Sequence, residues 1–292
     1  MVPSVPSLVE PDWLEEQLDN PALRIIDCTA HLHFDETGTR HTRSGREDWV
    51  RAHIPGSIHV DVPVELSELN DPAYPYQIPS SEQFAETMSR LGVGDDSAVV
   101  LYDSIRNNWA SRVWWLLRTF GFENAGVLNG GWTTWSSDDR PISRDQPTPK
   151  PATFTPDFHP ELLATKEDVQ QAIEDGRTCL VNALRPVDHA GTGLVKYGRP
   201  GRIPSSVNVP AAGEDAIVDL ETARYRSLAE LSTRFTEAGV LDSDRVITYC
   251  GGGIAASSAA FALHLLGVQN VAVYDGSLAE WGADPSLPMV TD

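Results

Sequence analysis

The sequence has 292 residues, of which 41% are hydrophobic, and a formal net charge of −20. This length is typical of two domains, and the acidic excess argues against nucleic acid or an anionic membrane as a partner. Three cysteines cannot form a complete set of disulfides, which favours a reducing compartment. No apolar run reaches membrane-spanning length and the N-terminus lacks a secretory pattern, so we predict a cytoplasmic protein.

The first half of the chain alternates strand and helix signals. A short apolar strand is predicted at Leu23 to Cys28, and a helix opens at Ser80, where Gln83 gives the pattern of a capping box. A second apolar strand, AVVLY, ends immediately before Asp103. A helix from Trp109 to Phe120 follows, so this half reads as strands with covering helices.

The second half repeats this order about 145 residues later. The strand at Thr178 to Ala183 matches the first strand, and the helix that opens at Ser227 again has a capping-box pattern. The strand RVITY then ends before Cys250, which occupies the place that Asp103 has in the first half. A helix from Ile254 to Leu266 follows, so the two halves have the same predicted order of elements.

The repeat predicts an α/β protein of two tandem domains, each a parallel sheet with helices on both faces. We place the two domains at residues 1–140 and 161–292. Six prolines from Pro141 to Pro160 predict an extended, stiff linker over residues 141–160. Clefts between domains are common ligand sites, so we expect the first domain to supply a wall of any site in the second.

Cys250 is the main candidate for a catalytic residue. It lies where a strand ends and a helix begins, and the three glycines that follow it suit a tight turn. A helix N-terminus stabilises negative charge, and the thiolate is the reactive form of cysteine. We expect no metal or organic cofactor, because backbone N–H groups of five residues would hold the anionic sulfur: Gly251, Gly252, Gly253, Ile254 and Ala255. The alternative is a small buried hydrophobe, as we expect for Cys179.

Further motifs occur in both halves, including HIPGS at His53 and RIPSS at Arg202. Together with the ASRVWWLLRTFG helix, the LNGGWTTW motif and the strand–cysteine–glycine–helix segment, they resemble the two-domain rhodanese family over about Leu8 to Met289. That family contains thiosulfate and 3-mercaptopyruvate sulfurtransferases. The resemblance implies an N-terminal non-catalytic and a C-terminal catalytic rhodanese domain. It also implies that Cys250 takes sulfur from a small anionic donor, becomes a persulfide and passes the sulfur to cyanide or a thiol.

The sequence departs from that family where substrate is expected to bind. Gly252 stands where mercaptopyruvate-type members have a serine, so their serine–histidine–aspartate relay is incomplete, although His53 matches its histidine and is a candidate for the cleft. Leu184 replaces the arginine of an Asp-Ala-Arg motif, and Asp188 and His189 replace an arginine–phenylalanine pair. Four cations of the same loop are the candidate donor-binding residues: Arg185, Lys196, Arg199 and Arg202.

Two other functions stay open at this point. A non-catalytic rhodanese-type module for binding or regulation fits the missing serine and arginines, whereas the retained Cys250 argues against it. A Cys-dependent phosphatase of the related fold needs an arginine that closes a longer loop, and Ala256 and Ser257 stand in its place. The sequence identifies neither the sulfur donor and acceptor nor the oligomeric state.

Two residue groups outside the loop also carry predictions. His31 and His33 form a His-X-His pair without an evident third metal ligand, so we expect a loop role for them and no metal. Asp103, Arg106 and Arg112 are close in sequence and of opposite charge. We predict an ion pair among them that supports the first-half loop.

Overall fold

The structure is a computed structural model that describes residues 2–211, 213 and 215–292. Strands and helices are numbered in chain order. The strands of the N-terminal half are β1 (Leu8–Val9), β2 (Leu23–Asp27), β3 (Ala30–Phe34), β4 (Arg40–Ser44), β5 (Ile58–His59), β6 (Ala98–Tyr102) and β7 (Ala125–Leu128). Its helices are α1 (Pro11–Gln17), α2 (Arg46–Arg51), α3 (Val62–Glu65), α4 (Ser81–Arg90), α5 (Asn108–Thr119) and α6 (Gly131–Ser137).

The C-terminal half follows a short 3₁₀ turn at Pro160–Leu162. Its strands are β8 (Leu163–Ala164), β9 (Thr178–Asn182), β10 (Val207–Asn208), β11 (Arg245–Tyr249) and β12 (Val271–Tyr274). Its helices are α7 (Lys166–Asp175), α8 (Pro186–Ala190), α9 (Leu228–Glu237), α10 (Ile254–Leu265) and α11 (Ser277–Trp281).

Each half builds one five-stranded sheet, and the two sheets have the same topology. The strand orders are β1-β7-β6-β2-β5 and, read in the same direction, β8-β12-β11-β9-β10. Every neighbouring pair in both sheets is parallel. The predicted α/β fold of two tandem units with parallel sheets is therefore confirmed.

The central strands are apolar on both faces because helices cover both faces of each sheet. All five residues of β6 are buried, as are four of the five in β11. The helices that follow these two strands, α5 and α10, pack against each other across the two halves, and the ring of Trp114 meets that of Phe261 edge-on at 4.7 Å. Since parallel strands end at the same edge of a sheet, this packing brings the loops before both helices to one cleft.

A hairpin of β3 and β4 is an addition to the N-terminal half that we did not predict. Its two strands pair antiparallel from Ala30 with Ser44 to Phe34 with Arg40. At its end, Phe34 contacts the ring of Tyr197 edge-on at 5.4 Å, so the hairpin reaches the C-terminal half. The cleft between the halves therefore has a second wall from the N-terminal domain.

The predicted ion pair within the first-half loop is wrong. Arg112 donates instead to Asp275 of the C-terminal half at 2.5 Å, and both side chains are only 1% exposed. The carboxylate of Asp103 accepts three backbone N–H groups of its own loop, from Ile105 at 2.6 Å, Asn107 at 2.9 Å and Ala110 at 2.8 Å. Backbone N–H groups, and not arginine side chains, thus bind the carboxylate of Asp103.

The two predicted helix caps differ in detail. Ser227 and Glu230 form the complete capping box, in which each side chain accepts the other residue's N–H group. At the first-half helix, Ser80 accepts from the N–H of Gln83, but the Gln83 side chain donates to the carbonyl of Ser67. The cap at Ser80 is therefore only half of the predicted motif, because the side chain of Gln83 binds the carbonyl of Ser67.

The proline-rich segment over residues 141–159 has no helix and no strand, and it packs along the N-terminal domain. The N–H groups of Ala152 and Asp157 donate to the carbonyls of Ser89 and Phe120. Across the part of the chain that the structure describes, no helix combines the length and the apolar character that a membrane span requires.

Candidate active site

The loop of Cys250 lies between the end of β11 and the start of α10, and a serine from another element holds it. The hydroxyl of Ser277 accepts the N–H groups of Cys250 at 3.0 Å and Gly253 at 3.2 Å, and it donates to the carbonyl of Tyr274. These bonds fix both ends of a tight turn whose last residue, Gly253, has a φ of +80°. Only glycine adopts this conformation without strain.

The remaining N–H groups of the loop stay available. Within the described residues, the N–H groups of Gly251, Gly252, Ile254 and Ala255 have no hydrogen-bond acceptor. The last two open α10, a twelve-residue helix whose first turn has no internal acceptors. Because Gly253 donates to Ser277 instead, its predicted role as a fifth donor around the sulfur is corrected.

Cys250 opens into a cavity of about 310 Å³ between the two domains. Its side chain is buried, with the residue 3% exposed, but it contributes to the cavity wall. The C-terminal domain contributes most of the loop around the cysteine to this wall: Gly251, Gly252, Ile254 and Ala255. The N-terminal domain contributes mainly apolar and aromatic side chains: Leu32, Phe34, Tyr76, Ile105 and Trp109. The thiol is therefore shielded from bulk water yet faces a ligand-sized space.

Tyr197 restricts the space directly above the loop. A Cβ atom at position 251 would overlap the ring and hydroxyl of Tyr197, so the close approach requires glycine there. Burial raises the pKa of Tyr197 well above its usual value, and the nearby charges of Cys250 and Asp188 act in the same direction. Its phenol thus stays protonated and brings a hydroxyl to the wall of the cavity. Tyr197 was not predicted, since no local pattern marks a loop tyrosine as close to a cysteine more than fifty residues away.

Positive charge surrounds the cavity. Two of the predicted cations, Arg185 and Lys196, contribute to its wall, and both bind the carboxylate of Asp188. Two further arginines of the wall, Arg40 and Arg106, were not predicted as ligand-binding residues. Arg40 lies on the hairpin, which we did not predict. Arg106 lies three residues after Asp103, in the loop that corresponds to the cysteine loop, and this position in the repeat could have indicated that it lies at the cleft.

Three predicted substrate residues lie outside the cavity. Arg199 donates to four backbone carbonyls, those of Trp281, Gly282, Asp284 and Leu287, and so fastens the C-terminal segment.

Arg202 and His53 are similarly occupied elsewhere. Arg202 pairs with Asp292 and donates to the carbonyl of His189. His53 is fully buried, stacks on the ring of Trp49 and hydrogen-bonds its carbonyl at 2.7 Å. Neither residue contributes to the wall of the cavity that contains Cys250. We therefore do not propose that Arg202, His53 or Arg199 binds the donor.

The two histidines of the predicted His-X-His pair, both on the hairpin, contact different residues. His31 bonds to Asp48 at 2.7 Å, and His33 stacks on His41 with ring centres 5.0 Å apart. No group of three or more histidine, cysteine or acidic side chains with metal-binding geometry occurs among residues 2–211, 213 and 215–292.

The comparisons with known proteins agree with this architecture. The family model for the rhodanese-like domain matches the chain twice, over residues 10–138 and 165–284. The 3-mercaptopyruvate sulfurtransferase of Escherichia coli strain K12 is 34% identical over 286 residues, which cover 95% of this chain and 95% of that protein. The thiosulfate sulfurtransferase of Rattus norvegicus is 32% identical over 290 residues, covering 94% of this chain and 91% of the relative.

Solved structures give the same picture of the fold. The crystal structure of the 3-mercaptopyruvate sulfotransferase of Escherichia coli has a TM-score of 0.80 and 31% identity, and it covers 93% of this chain and 98% of its own. A structure of the anaerobic ergothioneine biosynthesis enzyme from Chlorobium limicola with trimethyl histidine has a TM-score of 0.79. It is 22% identical and covers 98% of this chain and 70% of its own, so this likeness concerns the fold alone.

Proposed function

Because the chain belongs to the rhodanese family, we propose that it is a sulfurtransferase that carries sulfur as a persulfide on Cys250. The observation that carries this proposal is a cysteine that faces an interdomain cavity, where four loop N–H groups have no other acceptor among the described residues. An anionic sulfur at this position would receive hydrogen bonds from a preorganised backbone. Relatives that act as 3-mercaptopyruvate and thiosulfate sulfurtransferases support the same reaction class.

In the first step, the thiolate of Cys250 attacks the outer sulfur of the donor. With thiosulfate, the donor's S–S bond breaks and sulfite leaves with the electron pair. With 3-mercaptopyruvate, the C–S bond breaks, and the carbon takes the proton of the donor thiol to give pyruvate. Either reaction leaves a persulfide on Cys250, whose terminal sulfur is an anion that the loop N–H groups stabilise.

In the second step, a nucleophile takes the terminal sulfur and returns Cys250 to the thiolate. Cyanide would leave as thiocyanate, and a thiol acceptor would leave as a persulfide of its own. We propose small anionic donors and thiol or cyanide acceptors, because cations outnumber carboxylates in the cavity wall. A binding module without turnover would have no use for unpaired N–H groups around a thiol, and the loop carries no arginine to clamp a phosphoryl group.

The test is the mass of the intact protein after treatment with each donor. We expect an increase of one sulfur atom on Cys250 and its loss on addition of cyanide, with thiocyanate released. The Cys250→Ser variant should show neither change. Cys179→Ser is the matched control, because Cys179 lies outside the cavity and its replacement should leave both signals intact. Thiocyanate formation by Cys250→Ser at the wild-type rate would rule out the mechanism.

A further inference from the structure

We propose that the charged end of the sulfur donor is bound by two arginines of the N-terminal domain, Arg40 and Arg106. The cations of the domain that carries Cys250 would then contribute less. This inference rests on the proposed function, because it assigns the binding of the donor in that reaction. The donor class is a small anion whose carboxylate or sulfonate lies a few bonds from the transferable sulfur.

The two cations that the catalytic domain brings to the cavity are already engaged. Arg185 donates to both oxygens of Asp188, at 2.9 and 3.3 Å, and Lys196 donates to the same carboxylate at 2.8 Å. Burial opposes ionisation of Asp188, but the hydrogen bonds from Arg185 and Lys196 hold its pKa below the usual value. A donor anion near either cation would therefore also meet this ionised carboxylate, which weakens the attraction.

Arg106 lies in the N-terminal loop that corresponds to the cysteine loop. The carboxylate of Asp103 accepts the N–H groups of Ile105 and Asn107, so the backbone of this loop already binds an anion of its own. The side chains of Ile105 and Arg106 instead contribute to the wall of the cavity that contains Cys250. Arg106 has a φ of +58°, a conformation that non-glycine residues adopt at a cost and that is concentrated at functional sites.

Arg40 reaches the same cavity from the first residue of β4. Alternate residues of a strand face opposite sides, and Thr42 on the side of Arg40 bonds to the hydroxyl of Tyr76 at 2.5 Å. The guanidinium of Arg40 lies 5.0 Å from the ring centre of Tyr76, which is also part of the wall. Arg43 has the other side-chain parity and binds Asp48, away from the cavity.

Neither Arg40 nor Arg106 forms an ion pair with any residue that the structure describes. A guanidinium presents paired donors that match a carboxylate or an oxyanion. In a chain with a net charge of −20, two such groups at one cavity also raise the local concentration of a small anion. The N-terminal domain thus supplies the charge that captures the donor, and the C-terminal domain supplies the thiol that reacts.

The experiment follows persulfide formation in a single turnover over a range of thiosulfate and 3-mercaptopyruvate concentrations. We expect Arg40→Gln and Arg106→Gln each to raise the half-saturating donor concentration about tenfold, and the double variant about a hundredfold, with a nearly unchanged limiting rate. Discharge of the persulfide to a neutral thiol such as 2-mercaptoethanol should stay the same, because its approach does not depend on the positive charge of the cavity. Arg43→Gln, which changes the same charge on the same strand, should behave as wild type.

A second measurement does not depend on sulfur transfer. Iodoacetate and iodoacetamide both alkylate Cys250 with loss of iodide, but only iodoacetate is an anion. The double variant should react more slowly with iodoacetate, by at least about tenfold, and at the wild-type rate with iodoacetamide, which also shows that the site is intact.

The results distinguish a failure of the proposed sulfur transfer from a failure of the role of Arg40 and Arg106. Absence of a persulfide in the wild-type protein with both donors rejects the proposed function. A wild-type persulfide with unchanged donor saturation and iodoacetate reactivity in the double variant overturns the role of the two arginines alone. A larger effect of Arg185→Gln than of the double variant does the same, because it assigns donor capture to the catalytic domain.

Discussion

The loops after β6 and β11 occupy the same place in two copies of one topology, and they treat an anion in opposite ways. In the N-terminal loop, the carboxylate of Asp103 accepts three backbone N–H groups, so the protein itself supplies the anion. In the C-terminal loop, the N–H groups of four residues beside Cys250 have no acceptor in the part of the chain that the structure describes. The same arrangement of backbone N–H groups therefore binds a side-chain carboxylate in one domain and is available to a ligand in the other. We call the loop of Asp103 the closed loop and the loop of Cys250 the open loop.

A second difference lies beneath the two loops, at the residue that follows the last strand of each sheet. Asn129 of the N-terminal domain accepts the N–H of Tyr225, and Asp275 of the C-terminal domain accepts the N–H of Ile78. Each domain thus binds the other's backbone at matching positions, but only Asp275 also forms a buried ion pair, with Arg112. A Cβ atom on Gly253 would lie 2.7 Å from this carboxylate, so the pair packs directly against the catalytic loop.

We expect the greatest loss of activity when the C-terminal loop receives the acidic residue of the N-terminal loop. In Cys250→Asp, we expect the new carboxylate to accept the free loop N–H groups, as Asp103 does, and to abolish both the persulfide and thiocyanate release. Cys250→Ser should lose activity to the same extent, but a hydroxyl lacks the negative charge of a carboxylate. Thiocyanate formation measures both variants, and residual turnover in Cys250→Asp would contradict the assignment of the nucleophile.

The next largest effect concerns the ion pair that only one side has. Asp275→Asn gives the C-terminal domain the residue of the N-terminal one, and it leaves the guanidinium of Arg112 buried without a counter-charge. We expect a loss of about 3–5 kcal/mol in the free energy of unfolding, measured by urea denaturation. Arg51→Gln, which removes an exposed ion pair, is the control and should cost under about 1 kcal/mol. Equal losses of unfolding free energy in the two variants would show that the buried ion pair stabilises the protein no more than an exposed one.

Asp103 gives the N-terminal loop a contribution to stability that depends on pH. Burial raises the pKa of Asp103 to about 6, although its N–H partners oppose the shift, from a usual value of 3.8. Because folding favours the protonated carboxyl, its contribution to stability is complete below about pH 4 and is lost as the pH rises through 6. We expect the stability of the wild type relative to Asp103→Asn to fall by about 3 kcal/mol across that interval.

Urea denaturation at several pH values from acid to neutral measures this difference. Taking the difference between the two proteins removes the contribution of other titrating groups that the substitution leaves unchanged, whereas Asp27, which lies close to Asp103 and raises its pKa, remains coupled to the result. A pH-independent difference would show that Asp103 keeps its usual pKa, contrary to its burial.

Two neighbouring glycines of the cysteine loop should differ in how well they tolerate a side chain. A Cβ atom on Gly252 would meet Tyr76 at 3.6 Å and the carbonyl of Pro75 at 3.7 Å, which are ordinary contacts. We therefore expect Gly252→Ala to change kcat/KM by no more than about threefold. Gly251→Ala is the matched change, where overlap with Tyr197 should cost at least about tenfold. If the two variants were equally active, Tyr197 would not restrict the loop.

Much of the site was predictable because its central feature is local. The apolar run before Cys250, the three glycines and the small residues of α10 predict a strand, a tight turn and a helix from backbone preferences alone. The fate of individual groups was less predictable. Gly253 donates to Ser277, which is 24 residues further along the chain, and no local preference reveals which of several N–H groups finds such an acceptor.

Local sequence also did not reveal which cations face the cavity. Arg185 and Arg199 both lie between β9 and β10, and the sequence does not distinguish them. Arg185 nevertheless faces the cavity, whereas Arg199 binds four carbonyls of the C-terminal segment. The strand β4, which brings Arg40 to the cavity, is exposed and polar and lacks the apolar alternation that predicts a half-buried strand. Its partner β3 does alternate apolar and polar residues from Ala30 to Phe34, which was a signal for a strand.

The repeat, the parallel sheets and the position of Cys250 at the start of a helix could be predicted from the amino-acid sequence, because they follow from apolar periodicity and from the dihedral preferences of neighbouring residues. Which charged side chains share a cavity with that thiol depends on the tertiary structure. Their arrangement results from the packing of α5 against α10 and of a hairpin against the opposite domain, and such contacts join residues that lie far apart in the chain.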